Sequence, residues 1–288
     1  MLRVGFVGTE NSHVKHFIRF LNLEDRHPGH RAVALSGGRT DHNQELAAYG
    51  GLDLIVDEPA DLIGQVDAAI VCNRDGGLHR QAAEPLLRAG IPVLVDKPLA
   101  TTIEDAAALL EVAEETGSTL ISASALRFVP EMTQFGTEHP DHGRLRHLHV
   151  VGPADPDSEY AGLFFYGIHH VETALQILGN PVVRAGELTA QARREGDTVW
   201  ATATIDGTTV TFTFVVPEPE GRVPFHATAV HGRGVVSSEL TLGPDYNAPA
   251  LDAFVAAVKA GKGQLSAEQL LSPVVVLTAI NQALEATR

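Results

Sequence analysis

The stretch RVGFVGTENSH, residues 3–13, decides how the chain is read. Its opening residues form a short apolar run, the kind buried on both faces of a parallel sheet, and the run ends on Gly8. A strand that stops at glycine and opens a helix is the turn in which a dinucleotide's pyrophosphate is held, with the pattern G-x-G-x-x-G. Gly8 fills the first place, whereas Glu10 stands in the second and His13 in the third. The second glycine normally lets the backbone approach the phosphates. A carboxylate about 4 Å from one phosphate charge costs on the order of 1–4 kcal/mol, which weakens binding without forbidding it. The turn therefore predicts a nucleotide site in which the Glu10 side chain points away from the phosphates, while Asn11 and Ser12 supply donors. The alternative makes Asn11 or Ser12 an ordinary N-cap with no ligand.

Working outward, the next hundred residues alternate strand and helix signals. HRAVALSGG (30–38), LDLIVD (52–57), VDAAIVCN (66–73), IPVLVDKP (91–98) and STLISASA (118–125) read as strands, with helical spacing between them. Continuous apolar strands separated by helices describe a parallel sheet covered on both faces. After about residue 125 the texture changes to alternating strands, among them RLRHLHVVG, VVRAGELTAQARR, TVWATATID and TVTFTFVV, interrupted by one long helix, YGIHHVETALQILG. That pattern predicts an α+β domain with a largely antiparallel open sheet. One boundary follows, with a dinucleotide-binding domain over 1–123 and a substrate-binding and oligomerisation domain over 124–288.

Composition narrows the function classes. The net charge is −15 with histidines neutral, so no basic excess exists to meet nucleic acid or an anionic membrane. Cys72 is the single cysteine, which excludes an intramolecular disulfide. No apolar stretch reaches the ~18 residues needed to span a bilayer. The first strand begins by Leu2 and leaves no room for a leader, so a cytoplasmic protein with a small-molecule partner is expected.

Ligands bind a parallel sheet at the carboxyl ends of its strands, where GTENSH, LSGGRTD, CNRDGGLH and DKP fall. DKP (Asp96, Lys97, Pro98) and GIHHVE (Gly167 to Glu172) resemble the E-K-P and G-x-H-x-x-D motifs of the Gfo/Idh/MocA oxidoreductase family, in a branch with an eroded glycine fingerprint. The resemblance covers nearly the whole chain and implies a Rossmann domain followed by an α/β domain. It implies an NAD(P)-dependent oxidoreductase that moves hydride between nicotinamide and a hydroxyl-bearing carbon of a sugar or cyclitol. In that reading Lys97 lies beside the nicotinamide and stabilises the developing alkoxide, and His169 accepts the hydroxyl proton. Glu172, three residues on, shares the helix face and orients the imidazole or binds a sugar hydroxyl. Phe165 stands where many family members carry an aspartate; it meets a sugar face or fills the core. His170 and Arg127 are further substrate-binding candidates.

For the cofactor, Gly8, Glu10, Asn11, Ser12 and Lys97 are joined by Asn73, a candidate donor in the loop after the fourth strand. At the end of the second strand Ser36 and Arg39 lean toward NADP over NAD, since a serine with a nearby arginine suits a 2′-phosphate. His147, His149, His169, His170 and Glu172 tempt a metal reading, but nothing in the sequence makes them converge, and no metal is expected. Glu10 and Phe165 motivate an alternative, a relative without hydride transfer that binds or regulates. A third reading keeps tightly bound NAD for a lyase, hydrolase or epimerase. The open sheet predicts a homodimer or homotetramer.

Overall fold

A computed structural model describes residues 2–287. The chain divides into two compact units. The first holds residues up to Ala100, Glu104–Ala123 and Asn247–Ser266; the second holds Thr101–Ile103, Ser124–Tyr246 and the residues from Ala267 onward. The texture of the sequence predicts one boundary at 123/124, whereas Asn247–Ser266 returns to the first unit. Among the described residues no helix is long and apolar enough to cross a membrane.

The first unit alternates β1 (Leu2–Val7), α1 (His13–Ile18), β2 (His30–Ser36), α2 (Thr40–Gly50), β3 (Leu54–Val56), β4 (Ala68–Val71), α3 (His79–Arg88), β5 (Val93–Asp96), α4 (Ile103–Thr116) and β6 (Leu120–Ala123). Its sheet runs β3-β2-β1-β4-β5-β6, parallel throughout. β4 and β5 are buried at every residue, as the apolar runs of AAIV and VLV require, and Asp96 at the end of β5 is buried with them. Strand order reverses at β1, which lies between β2 and β4, so a ligand crevice is expected at the carboxyl ends of β1 and β4.

In the second unit, β7 (Glu138–His139) and β8 (Gly143–Pro153) precede α5 (Leu163–Ile177). β9 (Ala190–Glu195), β10 (Thr198–Ile205), β11 (Thr208–Val215), β12 (Phe225–His231) and β13 (Gly234–Leu240) follow. The sheet order is β13-β12-β8-β11-β10-β9, with β7 paired to β8. Every pairing is antiparallel except β8 with β11, which is parallel, so the sheet is mixed. The turn at Asp206 and Gly207 has both residues at positive φ, the geometry that joins two strands through two residues. The expected strand over VVRAGELTAQARR forms only from Ala190; Gly186 sits at positive φ and breaks the run before it. α6 (Ala248–Ala260) then completes the first unit, and α7 (Ala267–Glu285) packs on α5 and β9 in the second.

Alternate residues of the second sheet, such as Leu148, Val150, Phe212, Phe214, Ala227 and Ala229, are fully buried. The opposite face carries His147, His149, Trp200, Thr202, Thr211, Thr213, His226 and Thr228, all half-buried and none of them a fixed charge.

Candidate functional site

The first unit gathers four loops at the carboxyl ends of its strands. Gly8 adopts φ +77°, and a side chain there would meet the Asn73 backbone nitrogen at 2.5 Å, so the loops after β1 and β4 touch only because residue 8 is glycine. Thr9, fully buried, bonds the Asn43 side chain and the Gly37 carbonyl, and Asn43 Nδ2 donates to that carbonyl at 2.6 Å. The loop after β2 is thereby tied to the loop after β1.

Glu10 is turned toward the β4 loop. Its Oε1 accepts from the Arg74 amide at 2.9 Å, and its carbonyl accepts from the Arg74 guanidinium at 3.3 Å. A carboxylate held by a backbone donor and placed beside a cation carries less unbalanced charge, which softens its conflict with a phosphate. Ser12 precedes α1 without a side-chain cap bond and is exposed. Asn11 instead caps locally: its Oδ1 accepts from the His13 amide at 3.1 Å, and its Nδ2 donates to Asp96 at 3.3 Å. His13, in the place of the third glycine, lies 2.7 Å from the same Asp96 oxygen. Burial alone would raise the Asp96 carboxyl, but His13 and then Lys97 outweigh it and hold the group well below the usual carboxylate range. Asp96 is thus an anion beside Lys97, and both are buried. His79 bridges the Pro98 carbonyl (2.6 Å) and the Asn73 carbonyl (2.9 Å) from a fully buried position, so it ties the DKP turn to the β4 loop. Burial pushes its imidazole below the ordinary value, against the pull of those two carbonyls.

Two observations fit a dinucleotide at these strand ends. Any side chain at residue 8 would fill the cradle, and the buried Asn73 Oδ1 and Ser36 Oγ have no hydrogen-bond partner among the described residues. Ser36 has no exposed surface, and the Arg39 guanidinium pairs with Asp41. Glu10, Arg39, Asp41, His42 and Glu45 line a hollow of about 350 Å³.

The second unit presents His169 on α5, buried to 6% exposure. Its Nδ1 lies 2.6 Å from Ser124 Oγ, which also accepts from the Leu126 amide at 3.1 Å. The Glu172 carboxylate accepts from the Ser124 amide (2.7 Å) and from Arg127 Nε (2.5 Å). Arg127 Nη1 in turn donates to Gln176 (3.0 Å) and Asn180 (2.6 Å). Glu172 and Arg127, expected to bind substrate, form a buried ion pair with side chains 4% exposed. His170 is the third such candidate. One residue on from His169, it faces the sheet with no exposed surface, packed on Phe214 and Phe225, and burial pushes its imidazole down to about 4. Phe165 is half-buried, between the rings of Tyr160 (4.9 Å) and Tyr166 (4.8 Å), and lines a hollow of about 560 Å³. The Tyr166 ring is 5.7 Å from that of His169. Among the described residues no group of three or more His, Cys, Asp or Glu could hold a metal ion.

Sequence reasoning misses Ser124, His13, Arg74 and Tyr166. For His13 a signal exists, since a polar ring in the third glycine place needs a hydrogen-bond partner near it. For Ser124 there is none.

Comparison with known proteins follows the same division. Inositol 2-dehydrogenase 1 of Saccharopolyspora erythraea is 29% identical over 199 residues, 64% of this chain and 56% of that protein. The chain thus spans about half the length of the curated relatives it matches, or less. Among solved structures, GenD2 from gentamicin A biosynthesis, in complex with NAD, superimposes with a TM-score of 0.85 at 19% identity, over 100% of this chain and 95% of that one. A myo-inositol dehydrogenase from Corynebacterium glutamicum ATCC 13032 gives 0.77 at 18% identity, over 99% and 97%. At such identity these two share the fold. Residues 2–124 match the model of the Gfo/Idh/MocA oxidoreductase family, NAD-binding Rossmann fold.

Proposed function

We propose that the protein is an NAD-dependent oxidoreductase that moves hydride between nicotinamide and a hydroxyl-bearing carbon of a cyclitol or sugar. The observation that carries this reading is Lys97, buried beside the Asp96 anion at the carboxyl end of β5, in a sheet whose order reverses at β1. Bound nicotinamide would supply the hydride acceptor or donor. The Lys97 ammonium stabilises the charge that develops on the substrate oxygen. His169 takes the hydroxyl proton on oxidation and returns it on reduction, a task within reach of an imidazole near neutrality. Gly8 and Asn73 provide close backbone approach for the dinucleotide. Cyclitols are the substrates to try first, because the relative matched over 199 residues is an inositol 2-dehydrogenase.

The end of β2 supports NAD over NADP. A 2′-phosphate there faces the carboxylates of Glu10, Asp41 and Glu45, and the Arg39 guanidinium, which lines the same hollow, is engaged by Asp41. Calorimetric titration should show NAD⁺ and NADH binding at least about tenfold more tightly than the phosphorylated forms, a gap of ~1.4 kcal/mol. Asp41→Ala, which releases Arg39, should narrow that gap. Failure of all four cofactors to bind at millimolar concentration would refute the proposed function.

The uncovered face of the second sheet supports self-association. Six strands ~4.8 Å apart and about seven residues long present on the order of 700 Å², close to the ~800 Å² that one partner contributes to a stable interface. Light scattering is expected to report a homodimer or homotetramer, and a monomer of 30.7 kDa would dismiss the idea.

A further inference from the structure

The second unit holds a run of buried polar groups that the proposed chemistry does not use: Ser124, Glu172 and Arg127, behind His169. Each is nine-tenths buried or more. Their order is fixed by the bonds they make. Arg127 anchors Glu172, Glu172 accepts from the Ser124 amide, and Ser124 Oγ meets His169 Nδ1. The serine side chain is held from two directions, through its own amide by Glu172 and at its oxygen by the Leu126 amide. Among the described residues the Ser124 hydroxyl has no other hydrogen-bond partner.

The hydrogen bond made at one ring nitrogen of a catalytic imidazole sets the tautomer, and so decides which nitrogen is offered to the substrate. A carboxylate does this by accepting alone. A hydroxyl both accepts and donates, so it can meet Nδ1 whether or not that nitrogen carries a hydrogen. Phe165, where a carboxylate is expected four residues before His169, leaves the imidazole without one from that position.

We infer that Ser124 is a positioning residue for His169: its hydroxyl, braced by the Leu126 amide and the Glu172–Arg127 pair, fixes the facing of the ring through Nδ1 in both the neutral and the cationic imidazole. The inference rests on the proposed function for what His169 does. When the substrate hydroxyl proton moves to Nε2, Nδ1 keeps its own hydrogen and Ser124 Oγ accepts from it. The ring becomes a cation and no proton passes to the serine. On the return step Nε2 gives the proton back to the substrate oxygen, and the ring is neutral again.

Three variants test this in the full-length protein. Ser124→Ala removes the hydroxyl, and Ser124→Cys replaces it with a group of similar size that is a weak donor and acceptor. Both should lower kcat by about 10- to 100-fold with NAD affinity unchanged. Ser124→Asp should retain turnover and move the acidic limb of the kcat/KM profile up by roughly one pH unit, because a carboxylate favours the imidazolium. Independently of activity, ¹⁵N spectra of histidine-labelled protein should show the ring nitrogens of His169 changing their tautomer balance in the Ala and Cys variants. A folded Cys variant suffices if the Ala variant does not fold. Wild-type kcat, acidic limb and His169 nitrogen shifts in either variant would overturn the inference. If wild-type protein binds no NAD and oxidises no polyol, the proposed function fails, whereas the nitrogen spectra still decide whether Ser124 holds Nδ1.

Discussion

Lys97→Ala lowers kcat by about 10²- to 10³-fold while NAD affinity stays within a few-fold of wild type. The sign and size follow from where the charge sits. Lys97 is 9% exposed, so its field acts in a weakly screened environment, and it matters only once charge develops on the substrate oxygen. Ground-state contacts are lost equally before and after that moment and show up in KM. Lys97→Met, which keeps much of the volume, should fare no better, because the missing element is the cation. Stopped-flow measurement of hydride transfer, read as nicotinamide absorbance in a single turnover, separates this step from product release. A rate within threefold of wild type would remove Lys97 from the chemistry and with it the main support for the proposed function.

Glu172→Ala destabilises the protein by about 3–5 kcal/mol, the penalty for leaving a buried charge uncompensated. Arg127 then keeps only the neutral partners Gln176 and Asn180, and the Ser124 amide loses its acceptor. At ~2–4 °C per kcal/mol, the melting temperature should fall by roughly 10 °C. The double variant Glu172→Ala/Arg127→Met should recover part of the loss, since replacing both charges removes the unpaired one. A thermal melt of Glu172→Ala within 2 °C of wild type would contradict the buried pair.

The first unit is legible because parallel strands announce themselves twice, as unbroken apolar runs and as loops that open at the carboxyl ends. Gly8 and Lys97 both fall at such ends, and the structure places them there. The second unit is less so. That β8 pairs in parallel with β11 depends on which strands meet, and residues 143–153 and 208–215 alternate in the same manner whichever direction they run. His169 and His170 are adjacent in sequence, yet about 100° of helical rotation puts one near Tyr166 and the other against Phe214. Only packing distinguishes them. Arg127 reads as a cleft residue until its partner is known, and that partner lies 45 positions away. Ser124, with both of its key partners more than 40 residues on, gives no local sign of its place. The Arg39–Asp41 pair is the opposite case: two positions apart, it is visible in LSGGRTD.

The return of α6 to the first unit bears on how the polypeptide matures during synthesis. Leu251, Phe254 and Val255 share a core with Phe6, Phe17, Phe20 and Ile121. When the ribosome has made the sixth strand, the sheet is in hand but that apolar flank is bare, and more than a hundred further residues must emerge before its cover arrives. The nascent first unit therefore passes through a stage that exposes sticky surface, the kind holdase chaperones grip, and its closure waits on a helix translated more than a hundred residues after its last strand.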